Sequence, residues 1–399
     1  MIKTVLTLIV VLFTTVFINA YSQTDEYTNG YEFEIIKELK STSVKNQFRS
    51  GTCWSFAGNS FLESELIRMG KPELDLSEAW IIRHSYSDKA IDYVRWQGNL
   101  NFGGGGGFND ITNAIKKYGL VTEEVYAGLN YGTDKFVHSE LDAVLLGYME
   151  QVIKNKNKEL STAWHYGFNG ILDAYLGENI ESFKYEGKDF TPKIFATDFL
   201  GLNPDDYIEV TSFSHHPYYS EFILEIPDNW ALDAVYNVQL NDIIDIIDNS
   251  IEMGYTVAWG GDVSDEGFSW NHGVAIIPDV IYEETSGTDK ERLTGLTEEE
   301  KDEIIYSFEK PLKELEITPE LRQKEFDNYN ITDDHAMHIV GIAKDQNGNK
   351  YYKVKNSWDT TNIYNGFLFM SETYIKYKMT DMMIHKDVVP KSIAKKLGL

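Results

Sequence analysis

One thiol, Cys53, stands in 399 residues. It lies within KNQFRSGTCWSFAGNSFLESELIRM, residues 45–69. A lone cysteine has no intrachain disulfide partner, so it is either a small buried apolar group or a reactive one. Its neighbours bear on the choice. Trp54, Ala57, Phe61, Leu62, Leu66 and Met69 recur at helical spacing, and Gly70-Lys71-Pro72 is a stop. The spacing predicts a helix over 53–69 with Cys53 in its first turn. There the sulfur faces the partial positive charge of a helix N-terminus, which favours thiolate and makes a nucleophile. A nucleophilic thiol needs an imidazole to handle its proton, a group to orient that imidazole, and donors for an oxyanion. The chain has nine histidines, so number alone assigns none of them.

The elements that must position such a group are legible in outline. LDLSEAW opens a second helix with Ser77 as its N-cap. In NFGGGGGFNDITNAIKKYGL, five glycines form a loop and 108–117 forms a helix ending at Gly119. That loop is either a linker or a surface that another backbone approaches closely. LNDIIDIIDNSIEMG is helical, whereas YTVAWGGDV and GVAIIP read as strands. Residues 283–330 form a charged, mostly helical excursion in which Thr297 caps LTEEEKDEII. From His335, HAMHIVGIAKDQNGNKYYKVKNSW reads as two strands joined by an Asn-Gly turn, and NGFLFMS as a third. Pro390 then releases a tail over 390–399. A helix-rich first half and a β-rich last part predict an α+β fold whose halves meet in a cleft.

Composition narrows the function classes. At 42% hydrophobic and 14% aromatic residues the chain can fill two packed sub-domains. A net charge of −27 repels phosphate backbones, and the only basic cluster is Lys391, Lys395 and Lys396, so nucleic acid is not an expected partner. The first 22 residues read as a secretory signal: Lys3, an apolar run from Val5 to Ile18, then Ala20 and Ser22. Cleavage after Ala20 or Ser22 would leave a periplasmic or secreted protein with no stable membrane association, since the run is short for a span of about 20 residues. Residues 23–44 form a lead-in arm. An exported chain without disulfides must be stabilised by packing, and a free thiol retained in an oxidising compartment points to use.

Here a resemblance becomes specific. Gln47 followed by Ser50-Gly51-Thr52-Cys53-Trp54 resembles the nucleophile segment of papain-like cysteine peptidases. DDHAMHIVGI resembles the strand that carries their histidine, YYKVKNSWD the strand that carries their asparagine, and GGFNDITNAIKKYG the Gly-Gly segment that walls their cleft. The interval from Cys53 to His335 is about twice the roughly 130–150 residues usual in papain-like enzymes. That enlargement, with TSFSHHPYY, the HAM triplet and the lack of disulfides, is similar to the bleomycin hydrolase or aminopeptidase C branch.

The resemblance implies a papain-like fold: a helical sub-domain at 45–133 with the nucleophile, a mostly helical insertion at 134–250, and a β-rich sub-domain at 251–389 with the histidine and asparagine. It makes Cys53 the nucleophile, His335 the general base and later acid, and Asn356 the group that orients the ring under the cover of Trp358. Gln47 and the Cys53 N–H become the oxyanion donors, and Gly106 and Gly107 line the cleft. It also implies that the chain's own C-terminus, Leu399, lies in the cleft and meets the substrate's amine. The expected activity is that of a cysteine aminopeptidase on peptide substrates, without metal or cofactor, in a closed homohexamer. A cathepsin-type endopeptidase and a non-catalytic peptide-binding relative are the alternatives.

Two departures from the family pattern stand out. Ser50 replaces a cysteine, and Asp359 replaces the glycine that commonly follows Asn-Ser-Trp. Among the other candidates, His338 lies three residues from His335 and so on the opposite face of a strand. His215-His216 hints at a metal but lacks an evident third ligand. Asp262 reads as a turn residue.

Overall fold

The computed structural model describes residues 30–156, 158–279 and 296–399. The signal segment 1–22, the start of the arm and residues 283–295 of the charged excursion lie outside them. After strand β1 (Phe33–Glu38), helix α1 (Cys53–Arg68) is buried at every residue from Trp54 to Leu66. Its small residues let neighbours close in, since a Cβ on Gly58 would meet the Ile111 side chain at 2.7 Å. Helix α2 (Glu78–Arg95) starts where Ser77 Oγ accepts the Trp80 N–H at 3.0 Å. Helix α3 (Phe108–Tyr118) stops at Gly119, whose φ of 79° suits glycine. Helices α4 (Ser139–Ile153) and α5 (Ala163–Leu176) complete the first core through Leu141, Leu145, Met149, Phe168 and Leu172.

A short hairpin, β2 (Phe183–Tyr185) and β3 (Lys188–Phe190), leads to β4 (Tyr207–Thr211), β5 (Ser220–Ile223), β6 (Ala234–Asn237), helix α6 (Leu240–Met253) and β7 (Val257–Gly261). After β8 (Phe268–Ser269) and β9 (Val274–Ala275) come helices α7 (Glu298–Ile305) and α8 (Pro319–Asp327). Then follow β10 (His335–Asp345), β11 (Lys350–Lys355), β12 (Phe367–Ser371), α9 (Glu372–Lys378), β13 (Met379–His385) and α10 (Lys391–Leu397).

Among the described residues, all the strands except the β2–β3 hairpin join one sheet, in the order β5-β6-β4-β13-β7-β10-β11-β12-β9-β8, with β1 off this path on β10. Strand β10 is its axis. Its first half pairs with β7, from His335↔Gly261 to Ile339↔Val257, and its second half with β1. Alternation sorts its side chains. Ala336, with Ala258 of β7, faces the helical core, whereas Met337 and Ile339 enter a second core with Trp259, Ile243 and Ile247.

Three expectations need correction. The segment 134–250 is not mostly helical; between its first helices and α6, over 207–237, Val210, Phe222 and Val235 are inward residues of strands that extend the main sheet. GVAIIP contributes only the two-residue β9. The tail after Pro390 is not extended. Ile393 is buried, and with Ala394 and Leu397 it packs on the second core at helical spacing.

Candidate active site

Cys53 is the first residue of α1, where the backbone of Trp54 and of Ala336 in β10 acts to lower its thiol. Burial nonetheless pushes the thiol up to about 12, with the charges of Asp228 and Asp334 adding to it. His335 opens β10. Its Nε2 lies 2.8 Å from Asn356 Oδ1, and that oxygen also accepts the Ser357 N–H at 2.7 Å. A backbone donor on the same atom settles that it is an acceptor, so Nε2 carries the hydrogen and Nδ1 keeps the lone pair. Burial lowers the imidazole to about 4. Desolvation therefore outweighs the helix terminus at Cys53 and disfavours the charged form of both groups. The Trp358 ring covers His335 at 4.5 Å between centroids, and Phe268 and Trp270 meet Trp358 edge-on.

Gln47 is fixed through Ser357, which the sequence reading passed over. Gln47 N donates to Ser357 O at 2.9 Å, and Ser357 Oγ donates to Gln47 Oε1 at 2.6 Å. With its oxygen occupied, the Gln47 side chain has its NH2 left to offer a ligand. Two residues upstream, Lys45 anchors the segment by donating to Glu78 Oε1 at 2.6 Å. Ser357 thus ties the asparagine and glutamine together. Its place inside Asn-Ser-Trp was the available signal.

The glycine loop is a site of close approach and not a linker. Lys89, buried on α2, donates to the carbonyls of Gly103 and Gly105, and Trp54 Nε1 donates to Gly104 O at 2.9 Å. A Cβ on Gly106 would meet Asp110 Oδ2 at 2.5 Å and Trp54 Cε2 at 2.8 Å. Gly106 and Gly107 line a cleft that also holds Cys53 and His335. Four acidic groups that sequence reasoning missed face this cleft: Glu209, Asp228, Asp333 and Asp381. Glu209 and Asp381 face each other, and burial pushes both carboxyls up. Asp333 lies in the DDHAMHIVGI motif, but Glu209, Asp228 and Asp381 sit in none, and only the fold brings the four together.

The model of the Peptidase C1-like family matches residues 176–398. The chain belongs to that family. It is similar to aminopeptidase C of Lactobacillus delbrueckii subsp. lactis (21% identical, covering 90% of this chain and 82% of that protein). It is likewise similar to aminopeptidase C of Listeria innocua serovar 6a (23% identical, 89% and 83%). The crystal structure of PepW from Lactobacillus rhamnosis shares the fold, with a TM-score of 0.68 at 18% identity over 92% of this chain and 84% of that one. The protein is a cysteine-type peptidase of the bleomycin hydrolase and aminopeptidase C branch, with a papain-like α+β fold.

Within that fold, one residue expected in the cleft is elsewhere. Leu399 is not among the residues lining it. Its N–H bonds Ala394 O at 3.0 Å, closing α10 through Gly398 at φ 78°, and its side chain is exposed. The apolar spacing of Ile393 and Leu397 draws the tail onto the second core instead.

His338 turns away from the cleft, its Nδ1 2.9 Å from Ser60 Oγ of α1. Asp262 is a buried turn residue whose Oδ1 accepts the Ser264 N–H at 2.8 Å. His215 and His216 do acquire a third group, for both Nε2 atoms reach Glu225, at 3.0 and 2.9 Å. Gln323 Oε1 accepts the N–H groups of Ser214 and His215 and lies 3.1 Å from His215 Nδ1, which must therefore carry hydrogen.

The departures from the family pattern are also accommodated. Ser50 Oγ meets Thr52 Oγ1 at 2.6 Å in a buried pair. Asp359 adopts φ 72°, the conformation that favours glycine, and its carboxylate accepts from Thr360 N and Asn46 Nδ2.

Proposed function

We propose that this protein removes N-terminal residues from peptides through Cys53, His335 and Asn356. The observation that carries the reading is one cleft shared by a thiol at a helix N-terminus and an imidazole whose Nε2–H is held by Asn356. In this reading the Cys53 sulfur attacks the carbonyl carbon of the substrate while His335 Nδ1 takes the thiol proton. The Gln47 NH2 and the Cys53 N–H receive the oxyanion. The C–N bond then breaks, and His335 gives the proton to the departing amine. Water, deprotonated by the same nitrogen, attacks the thioester, releases the acyl part as an acid and restores the thiol. The similarity to proteins named aminopeptidase C supports the exopeptidase mode. The test is a comparison of kcat/KM on peptides with a free and an acetylated N-terminus. A strong preference for the free amine is expected, and equal rates would refute the exopeptidase mode.

Two further elements of the proposal rest on sequence and resemblance. The mature chain would begin at Tyr21 or Gln23 after export to the periplasm or medium, which N-terminal sequencing of the mature protein checks. It would assemble as a closed homohexamer, which light scattering checks.

A further inference from the structure

The segment between β5 and β6, residues 224–233, crosses from one wall of the cleft to the other. On the helical wall, Asn101 Nδ2 donates to Asp228 Oδ1 at 3.1 Å. There also, Trp230 Nε1 donates to Asp110 Oδ2 at 2.8 Å and Asn113 Nδ2 to Asp233 Oδ2 at 2.7 Å. On the β wall, Asp228 N donates to Asp333 Oδ2 at 2.8 Å, two residues before His335. The segment is stiff. Asn229 Nδ2 donates to the carbonyls of Leu224 and Asp233, both at 3.0 Å, and its Oδ1 accepts the Asp233 N–H. Leu224 packs in a small core with Phe213, Phe222 and Val235.

The direction of the substrate follows from the chemistry. His335 must protonate the departing amine, so the leaving half lies on the His335–Trp358 side. The acyl half runs the other way, past Gly106 and Gly107, into the crossing segment. A free α-ammonium at the end of that half needs an anion. Glu209 and Asp381 face each other, and Asp333 is engaged by the Asp228 N–H. Asp228 sits over Gly105, close enough to Cys53 to act on its charge, and no donor among the described residues takes its Oδ2.

We infer that residues 224–233 close the acyl end of the cleft and that the Asp228 carboxylate within them binds the substrate's α-ammonium. The amine anchor is then a side chain of the β5–β6 segment and not the chain terminus. This inference rests on the aminopeptidase reading above. It limits the substrates to peptides with an unmodified, protonated N-terminus and a short acyl part.

The test is Asp228→Asn, which keeps the side chain's shape and removes its charge. The ratio of kcat/KM for a free-amine peptide to that for its N-acetylated form should fall about 10- to 100-fold. The loss should come through KM of the free-amine substrate. Competitive inhibition by an amino-acid amide should weaken by a similar factor, while its desamino analogue is unaffected. Should the Asn variant not fold, Asp228→Ser serves with the same expected outcome. A variant that keeps the parent's ratio and amide inhibition overturns the anchor and leaves the aminopeptidase reading standing. Equal cleavage of free and acetylated peptides by the wild type overturns that reading itself.

Discussion

His335 and Asn356 are joined through one oxygen, which takes the imidazole Nε2 hydrogen at 2.8 Å and the Ser357 N–H at 2.7 Å. That oxygen leaves Nδ1 as the ring nitrogen with the free lone pair. Asn356→Ala releases the ring to rotate and to change tautomer. We expect kcat to fall about 100-fold with KM little changed, because the interaction orients a reacting group and does not hold substrate. Steady-state kinetics on an unblocked peptide measure this, and an unchanged kcat would show that the ring is held by other contacts.

Deleting Leu399 should leave the preference for free over acetylated amines as it was. The residue contributes the backbone bond to Ala394 that closes α10, worth about 1 kcal/mol. A small loss of Tm is therefore the expected effect. A changed amine preference on deletion would place the chain terminus in the cleft after all.

Stability should fall as pH rises from 6.5 to 8.5. Burial raises the carboxyls of Asp110, Asp228 and Glu314 to about 7 and that of Glu123 to about 8. In the unfolded chain these groups have already lost their protons in that range, whereas the folded chain still holds some of them. The folded state therefore loses protons that the unfolded state no longer binds, and stability is lost as pH passes through the folded values. The histidines oppose this only at the lower end of the window. His84, His138 and His335 are lowered by burial, to about 3, 4 and 4, so they are neutral in the folded state throughout, and the unfolded imidazoles lose most of their remaining protons by about pH 7.5. A fall in Tm on the order of 5 °C is expected by calorimetry across that window. A flat or rising Tm would mean that these carboxyls remain accessible to water.

The sequence made the candidate site residues legible because each sits in a short local motif: Cys53 in Gly-Thr-Cys-Trp, Asn356 in Asn-Ser-Trp, and Gly106 and Gly107 before a helix. Local periodicity likewise gave α1, α2, α3 and β10. The groups that were missed are non-local. Asp228 reaches the cleft from a loop between two short strands, and its partners Asn101 and Asp333 lie over a hundred residues away in opposite directions. The strands β4, β5 and β6 were hidden for the same reason. Each is four or five residues long and owes its conformation to pairing with β13 or with its neighbours, which no local pattern announces. The tail misled because Gly398 reads equally well as a flexible hinge or as the left-handed close of a helix; packing of Ile393 decides for the helix.

The central claim is that Cys53 is the nucleophile of a peptidase acting on free N-termini. It is tested most directly by measuring the release of the N-terminal residue from an unblocked peptide by the wild type and by Cys53→Ala, both shown to be folded. The account predicts turnover by the wild type and a loss on the order of a millionfold in the variant, as when one member of a catalytic unit is removed. Turnover by Cys53→Ala within tenfold of the wild type would contradict it.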